Sequence, residues 1–204
     1  KIGYKENLKL DIEKLCKCDL VIEAIKEDLN IKSKVFKTLD NICNKNTILA
    51  TNTSSISINE LSKSTKSPEN VIGMHFMNPV PVMKLVEIIN GANTGKDTTR
   101  CVMEIAKRID KIPIECNDSP GFVSNRILMP MINEAAYCYQ EKVATVESID
   151  SIMKLGMGHP MGPLTLADLI GIDVCVHILN VLYKDFKNDK YKPCKLLADM
   201  VNQE

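Results

Sequence analysis

The chain has 204 residues, 45% of them hydrophobic and 25% charged, with 26 basic and 26 acidic side chains. That length holds one good core or two small ones, and zero net charge gives no footprint for nucleic acid or an acidic membrane surface. No apolar run approaches the ~18 residues of a transmembrane helix, and the scattered cysteines, with Cys16 and Cys18 too close for zinc-type spacing, point to free thiols in a reducing cytosol and to no metal site.

The opening KIGYKENLKL has no initiator Met and no helix or strand entry signal, so a fragment of a longer chain is expected. Residues 20–25 read as a short buried strand with acids just beyond its end. Asp28 suits the N-cap of a helix over 29–43, with Ile31, Val35, Phe36, Leu39 and Ile42 on one face. A second buried strand, 47–51, runs into the polar turn Asn52-Thr-Ser-Ser. Ser57 and Glu60 have capping-box spacing for a short helix containing Ile58 and Leu61. Two β-branched runs, 71–76 and 84–89, flank a connection holding Pro79 and Pro81, the pattern of two strands and a turn. A helix over 94–109 buries Val102, Ile105, Ala106 and Ile109, and a strand over 112–116 follows. The strand–helix alternation before residue 76 implies parallel pairing in an α/β sheet.

At Asn117-Asp-Ser-Pro-Gly the composition changes, and only helices are expected beyond it. Ser119 suits an N-cap and Pro120 the first helical position. The helices span 120–141, 146–155, 164–182 and 194–202. Pro130 removes the donor for the Arg126 carbonyl and should bend the first of them. The expected organisation is a partial Rossmann-type sheet domain, 1–117, followed by a small all-α domain, 118–204.

His75 and Glu87 each lie six positions from Pro81, so a hairpin centred there sets them opposite one another. A His held by a carboxylate is the arrangement of a general acid or base, and equally that of a buried His satisfied by a structural Glu. Ligands bind beyond the carboxyl ends of strands in open α/β sheets. Three such ends carry polar groups here: Glu27 and Lys32, then Asn52 to Ser55, then His75 to Asn78. Gly156-Met-Gly158 is the only G-x-G and it follows a helix, so a cofactor reading requires a segment upstream of Lys1. His159 reads as part of a tight interhelical turn and His177 as a core or interface side chain. Asn125 lies one turn into the helix leaving the domain junction, a position suited to a polar pocket.

The stretches DLVIEAI (19–25), ILATNTSS (48–55), GMHFMNPVPVMKLVEII (73–89), DSPGFVSNRIL (118–128), PMINEA (130–135) and HPMGPLTLADLIGID (159–173) together resemble the 3-hydroxyacyl-CoA dehydrogenase family, nearest to its bacterial 3-hydroxybutyryl-CoA members. The resemblance implies an NAD-binding Rossmann domain (NADP being the alternative) and a helical domain forming a cytoplasmic homodimer. It implies interconversion of 3-hydroxybutyryl-CoA and acetoacetyl-CoA. His75 would be the acid/base, Glu87 its orienting carboxylate, and Ser54 and Asn125 the hydrogen-bond partners of the substrate's 3-oxygen or thioester end. Glu27, Lys32 and Asn78 match cofactor-contacting positions, as do Ala24, Ile25 and Asn52 more weakly, and Ser54 lies near the nicotinamide. The family's first strand, its G-x-G-x-x-G turn and its C-terminal end have no counterpart between Lys1 and Glu204. Two other readings stay open: a relative acting on longer acyl-CoAs or free hydroxy acids, and a non-catalytic dimerisation fragment.

Overall fold

The computed structural model describes residues 12–202, and the opening residues 1–10, read above as lacking entry signals, lie outside them. Two compact units divide between Asp118 and Ser119.

The first unit is built on five strands: β1 (Leu20–Glu23), β2 (Ile48–Thr51), β3 (Val71–Phe76), β4 (Leu85–Asn90) and β5 (Ile112–Asn117). They lie side by side in chain order, parallel throughout except where β3 and β4 pair antiparallel. Three α-helices accompany them: α1 (Leu29–Ile42), α2 (Ile58–Ser62) and α3 (Lys96–Arg108). Alternation along the strands divides their side chains between two faces. Ile48, Ala50, Ile72, Met74, Val86 and Ile88 pack on one face with Val102 of α3. Gly73, His75, Glu87 and Ile89 fall on the other. A Cβ on Gly73 would lie 2.8 Å from Ile89 Cβ and 3.0 Å from Ile58 Cδ1, so glycine is what admits α2 here.

The expected parallel α/β sheet is present, with three local differences. Ile109, expected on the buried face of its helix, is 49% exposed because α3 ends at Arg108 and leaves it as the C-cap. β1 is not a buried strand: Ile22 is 41% exposed, because β1 is the outermost strand of the described sheet and lacks a neighbour on one side. It also stops at Glu23, where the carboxylate turns back to accept the Ile25 N–H. The capping box of α2 is half formed. Ser57 accepts the Glu60 N–H at 3.3 Å, but the Glu60 carboxylate pairs with Lys63 instead of returning to Ser57.

The second unit is helical: α4 (Ser124–Gln140), α5 (Val146–Met157), α6 (Pro163–Ile170), α7 (Ile172–Phe186) and α8 (Lys195–Asn202). Met129, Ile132, Ala136, Leu179, Leu182 and Tyr191 centre its core. α4 begins at Ser124 rather than Pro120, because Gly121 and Phe122 both adopt positive φ, +70° and +51°, which no right-handed helix contains. It runs through Pro130 as one helix. The helix expected over 164–182 is two, α6 and α7, bent by 98° at Gly171, whose φ of +101° interrupts the ladder. His177 is exposed on α7, which removes the core reading of that residue. Among the described residues no single helix is long and apolar enough to cross a membrane.

Candidate active site

β3 and β4 pair Gly73 with Ile89 and His75 with Glu87, the expected register. His75 and Glu87 are buried, 6% and 4% exposed, so neither can satisfy its polar atoms from bulk water. The ring Nδ1 lies 2.8 Å from Glu87 Oε2. A carboxylate only accepts, so the Nδ1 proton points to Glu87 and Nε2 is left as the acceptor. Ser54 Oγ lies 3.0 Å from that Nε2. The order Glu87, imidazole, hydroxyl is a proton-handling chain: a base oriented from behind with a rotatable hydroxyl at its working atom.

The turn after β2 delivers Ser54. Asn52 accepts the Phe76 N–H at 2.9 Å through Oδ1, joining the end of β2 to the residue that follows His75. Glu27 Oε1 accepts from Ser54 N (3.0 Å), Ser55 N (3.0 Å), Ser55 Oγ (2.9 Å) and Thr53 Oγ1. Burial pushes the Glu27 carboxyl up, but the Thr53 hydroxyl, the Lys32 charge, the Ser55 hydroxyl and the Ser54 N–H together hold it below the usual carboxylate range. Lys32 is 1% exposed and bonds Glu23 Oε1 at 2.8 Å. Cys116, whose thiol is pushed up to about 11 by burial and by the Glu87 charge, stays protonated and supplies no nucleophile.

The structure therefore joins four residues singled out in the sequence, Glu27, Ser54, His75 and Glu87, with Asn52 and Lys32 bonded around them. Ala24 and Ile25 are exposed just past β1, and Asn78 is exposed ahead of the cis bond to Pro79. These exposed polar and backbone groups at the carboxyl edge suit a dinucleotide, which needs donors and acceptors beside a strand end. Asn125 lies in the helical unit, 8% exposed at the second position of α4. The sequence reading missed Glu23 and Thr51, whose side chains bond each other at 2.7 Å. The available signal was a carboxylate inside an apolar strand run, which requires a buried partner. No cluster of His, Cys, Asp and Glu among the described residues could hold a metal ion.

Comparison with known proteins bears on both units. Residues 5–119 match the 3-hydroxyacyl-CoA dehydrogenase NAD binding domain, and residues 121–204 match the C-terminal domain of the same enzymes. The chain is 59% identical to the 3-hydroxybutyryl-CoA dehydrogenase of Clostridioides difficile, an alignment covering 93% of this chain and 67% of that protein. It is 57% identical to the probable 3-hydroxybutyryl-CoA dehydrogenase of Bacillus subtilis, over 90% of this chain and 64% of that one. The crystal structure of (S)-3-hydroxybutyryl-CoA dehydrogenase from Ralstonia eutropha superposes with a TM-score of 0.92 at 48% identity, covering 94% of this chain and 68% of the other. The chain thus spans about two thirds of the length of the relatives it matches. With a Rossmann-like sheet unit, a helical unit and both domain matches in the same order, the chain belongs to the 3-hydroxyacyl-CoA dehydrogenase family.

Proposed function

We propose that the protein interconverts 3-hydroxybutyryl-CoA and acetoacetyl-CoA with NAD as the redox partner. The observation that carries this reading is the buried Glu87–His75–Ser54 chain, with Nε2 turned away from the carboxylate. NAD, when bound, supplies the acceptor for the hydride leaving C3. In that direction His75 Nε2 takes the proton of the 3-hydroxyl as the C3–H electron pair departs, and Glu87 stabilises the imidazolium that forms. In the reverse direction the imidazolium returns the proton to the 3-oxygen as the hydride arrives. The Ser54 hydroxyl both donates and accepts, so it holds Nε2 and can turn to the substrate oxygen. Asn125 is assigned a hydrogen bond to the 3-oxygen or thioester end on family resemblance. Asn78, Asn52, Ala24 and Ile25 are assigned cofactor contacts on the same ground, with Glu27 and Lys32 at the same lip.

His75→Gln in the full-length protein should lower acetoacetyl-CoA-dependent NADH oxidation by about 10³-fold or more, with thermal stability nearly unchanged. Near-normal turnover would sink the assignment. Parallel assays with longer 3-ketoacyl-CoAs and with free keto acids test the substrate class.

The helical unit exposes Ile127, Ile152, Leu155, Met157 and Leu169, with Leu155 87% exposed. Large exposed apolar side chains of this number suit a protein interface, here a homodimer. Sedimentation of the whole protein should show a dimer, and a monomer across the concentration range would remove this part of the reading. The eight free thiols fit a reducing cytoplasm.

A further inference from the structure

We propose that Glu23, Lys32 and Glu27 are positioning residues: a three-charge clamp, buried at Glu23 and Lys32, that fixes the turn after β2 so that Ser54 meets the His75 ring. The proposal rests on the catalytic reading above and goes beyond it, because it gives Glu27 and Lys32 a task other than touching the cofactor and brings in Glu23.

The clamp is closed on itself. Lys32 Nζ donates to Glu23 Oε1 at 2.8 Å and to the Ile25 carbonyl at 3.2 Å, and forms an ion pair with Glu27 Oε2 at 3.3 Å. The ammonium is 1% exposed, so its bonds to Glu23 and the Ile25 carbonyl are shielded from water. Glu23 is equally committed. Its Oε1 accepts from Lys32 and the Ile25 N–H, and its Oε2 accepts the Thr51 hydroxyl at 2.7 Å. Thr51 Oγ1 in turn accepts the Thr53 N–H at 3.2 Å. Glu27 then gives its second oxygen to the 53–55 turn, where it receives two backbone N–H groups and two hydroxyls.

The consequence is a short mechanical path. Lys32 fixes Glu27, Glu27 fixes the Ser54 N–H, and Ser54 Oγ reaches His75 Nε2. Three buried or half-buried charges are a poor source of stability, since their desolvation offsets most of their attraction. They do impose one geometry on the groups they bond. A turn of polar residues with no apolar anchor of its own needs such an imposed geometry if its hydroxyl is to stay at hydrogen-bond distance from a base.

The test uses Glu27→Ala, Glu27→Gln and Glu23→Gln, with two readouts. Amide hydrogen exchange is followed at Ser54 and Ser55 in this chain without ligand, and steady-state kinetics in the full-length protein. Glu27→Ala should lower protection at both amides by about tenfold, the loss of one charge-assisted bond each. It should lower kcat by about 10–100-fold, a larger change than any in the KM for NADH. Glu27→Gln, which keeps an acceptor but turns a repelling NH2 group toward Lys32 or the turn, should fall between. If Glu27→Ala fails to fold, the two glutamine variants report on the same amides. Unchanged protection at Ser54 and Ser55 in all three variants overturns the clamp. A raised KM for NADH with kcat intact also overturns it, and assigns Glu27 to direct cofactor contact. The exchange result stands whether or not His75→Gln upholds the catalytic reading, so the two can fail separately.

Discussion

The two units both bury polar side chains, and they put them to different ends. In the helical unit Asp150, 5% exposed, accepts the N–H groups of Leu164 and Thr165, each at 2.9 Å, and the Thr165 hydroxyl. It thereby serves the first turn of α6, whose own N-cap, Gly162, has no side chain to offer. Gly162 is also what makes room, since a Cβ there would lie 2.1 Å from Asp150 Cγ. Asn133 does the same for the segment leading to α8, donating to the Lys192 carbonyl at 2.9 Å and accepting the Cys194 N–H at 2.7 Å. In the sheet unit the ionisable groups bond one another as well as nearby backbone: Glu87 to His75, Lys32 to Glu23 and Glu27, Thr51 to Glu23. A buried side chain bonded to orphan backbone groups completes a fold. Ionisable side chains that also bond each other at a strand edge, as Glu87 bonds His75, can set up chemistry.

Substitutions can break or sharpen that contrast. The larger effect should come from Glu87→Ala, which leaves Nδ1 without its acceptor and should lower kcat by about 10²–10³-fold in full-length protein. Glu87→Gln should recover part of the loss, because it can still accept from Nδ1 while offering no charge to an imidazolium. Equal kcat values for the two variants would show that Glu87 acts only as packing. The smaller effect belongs to Asp150→Asn. Burial raises this carboxyl, but the Thr165 hydroxyl, the Leu164 and Thr165 N–H groups and the Lys154 charge hold it below its ordinary value. A depressed folded-state value makes the stabilisation fully present above the unfolded pKa of about 4, and lost as pH falls through the folded value. Asp150→Asn should therefore cost about 1–2 kcal/mol in denaturant unfolding at pH 7 and less as the pH is taken below 4, with turnover per folded molecule unchanged. A stability loss that persists undiminished at low pH would contradict it.

Much of the sheet unit was legible because its signals are local. Val71–Phe76 and Leu85–Asn90 are β-branched runs of strand length, and a turn centred near Pro81 fixes the register that sets His75 against Glu87. The helical unit was legible as helices but not in their limits. The single helix expected over 164–182 passes through Gly171, whose +101° φ divides α6 from α7. Ser119 and Pro120 carry the right residue types for a helix start, yet the positive φ values of Gly121 and Phe122 defer it to Ser124. Within the site, Glu27 and Lys32 were singled out, but Glu23 was not. Pairwise spacing carries no record of which buried acid a lysine nine residues later will choose.

The β3–β4 register also sets how this protein can change its length over generations. Side chains alternate faces with a period of two, so one residue gained or lost inside either strand would carry His75 or Glu87 to the opposite side of the sheet. The connection between them, residues 77–84, is tied through its backbone, where Lys111 donates to the Val80 and Met83 carbonyls and the Ile112 N–H to the Lys84 carbonyl. Lengthening such a loop costs only about 0.6 kcal/mol per doubling. Insertions and deletions among descendants of this chain should thus gather in the connection and spare the strands, leaving the hairpin as a fixed ruler between two side chains.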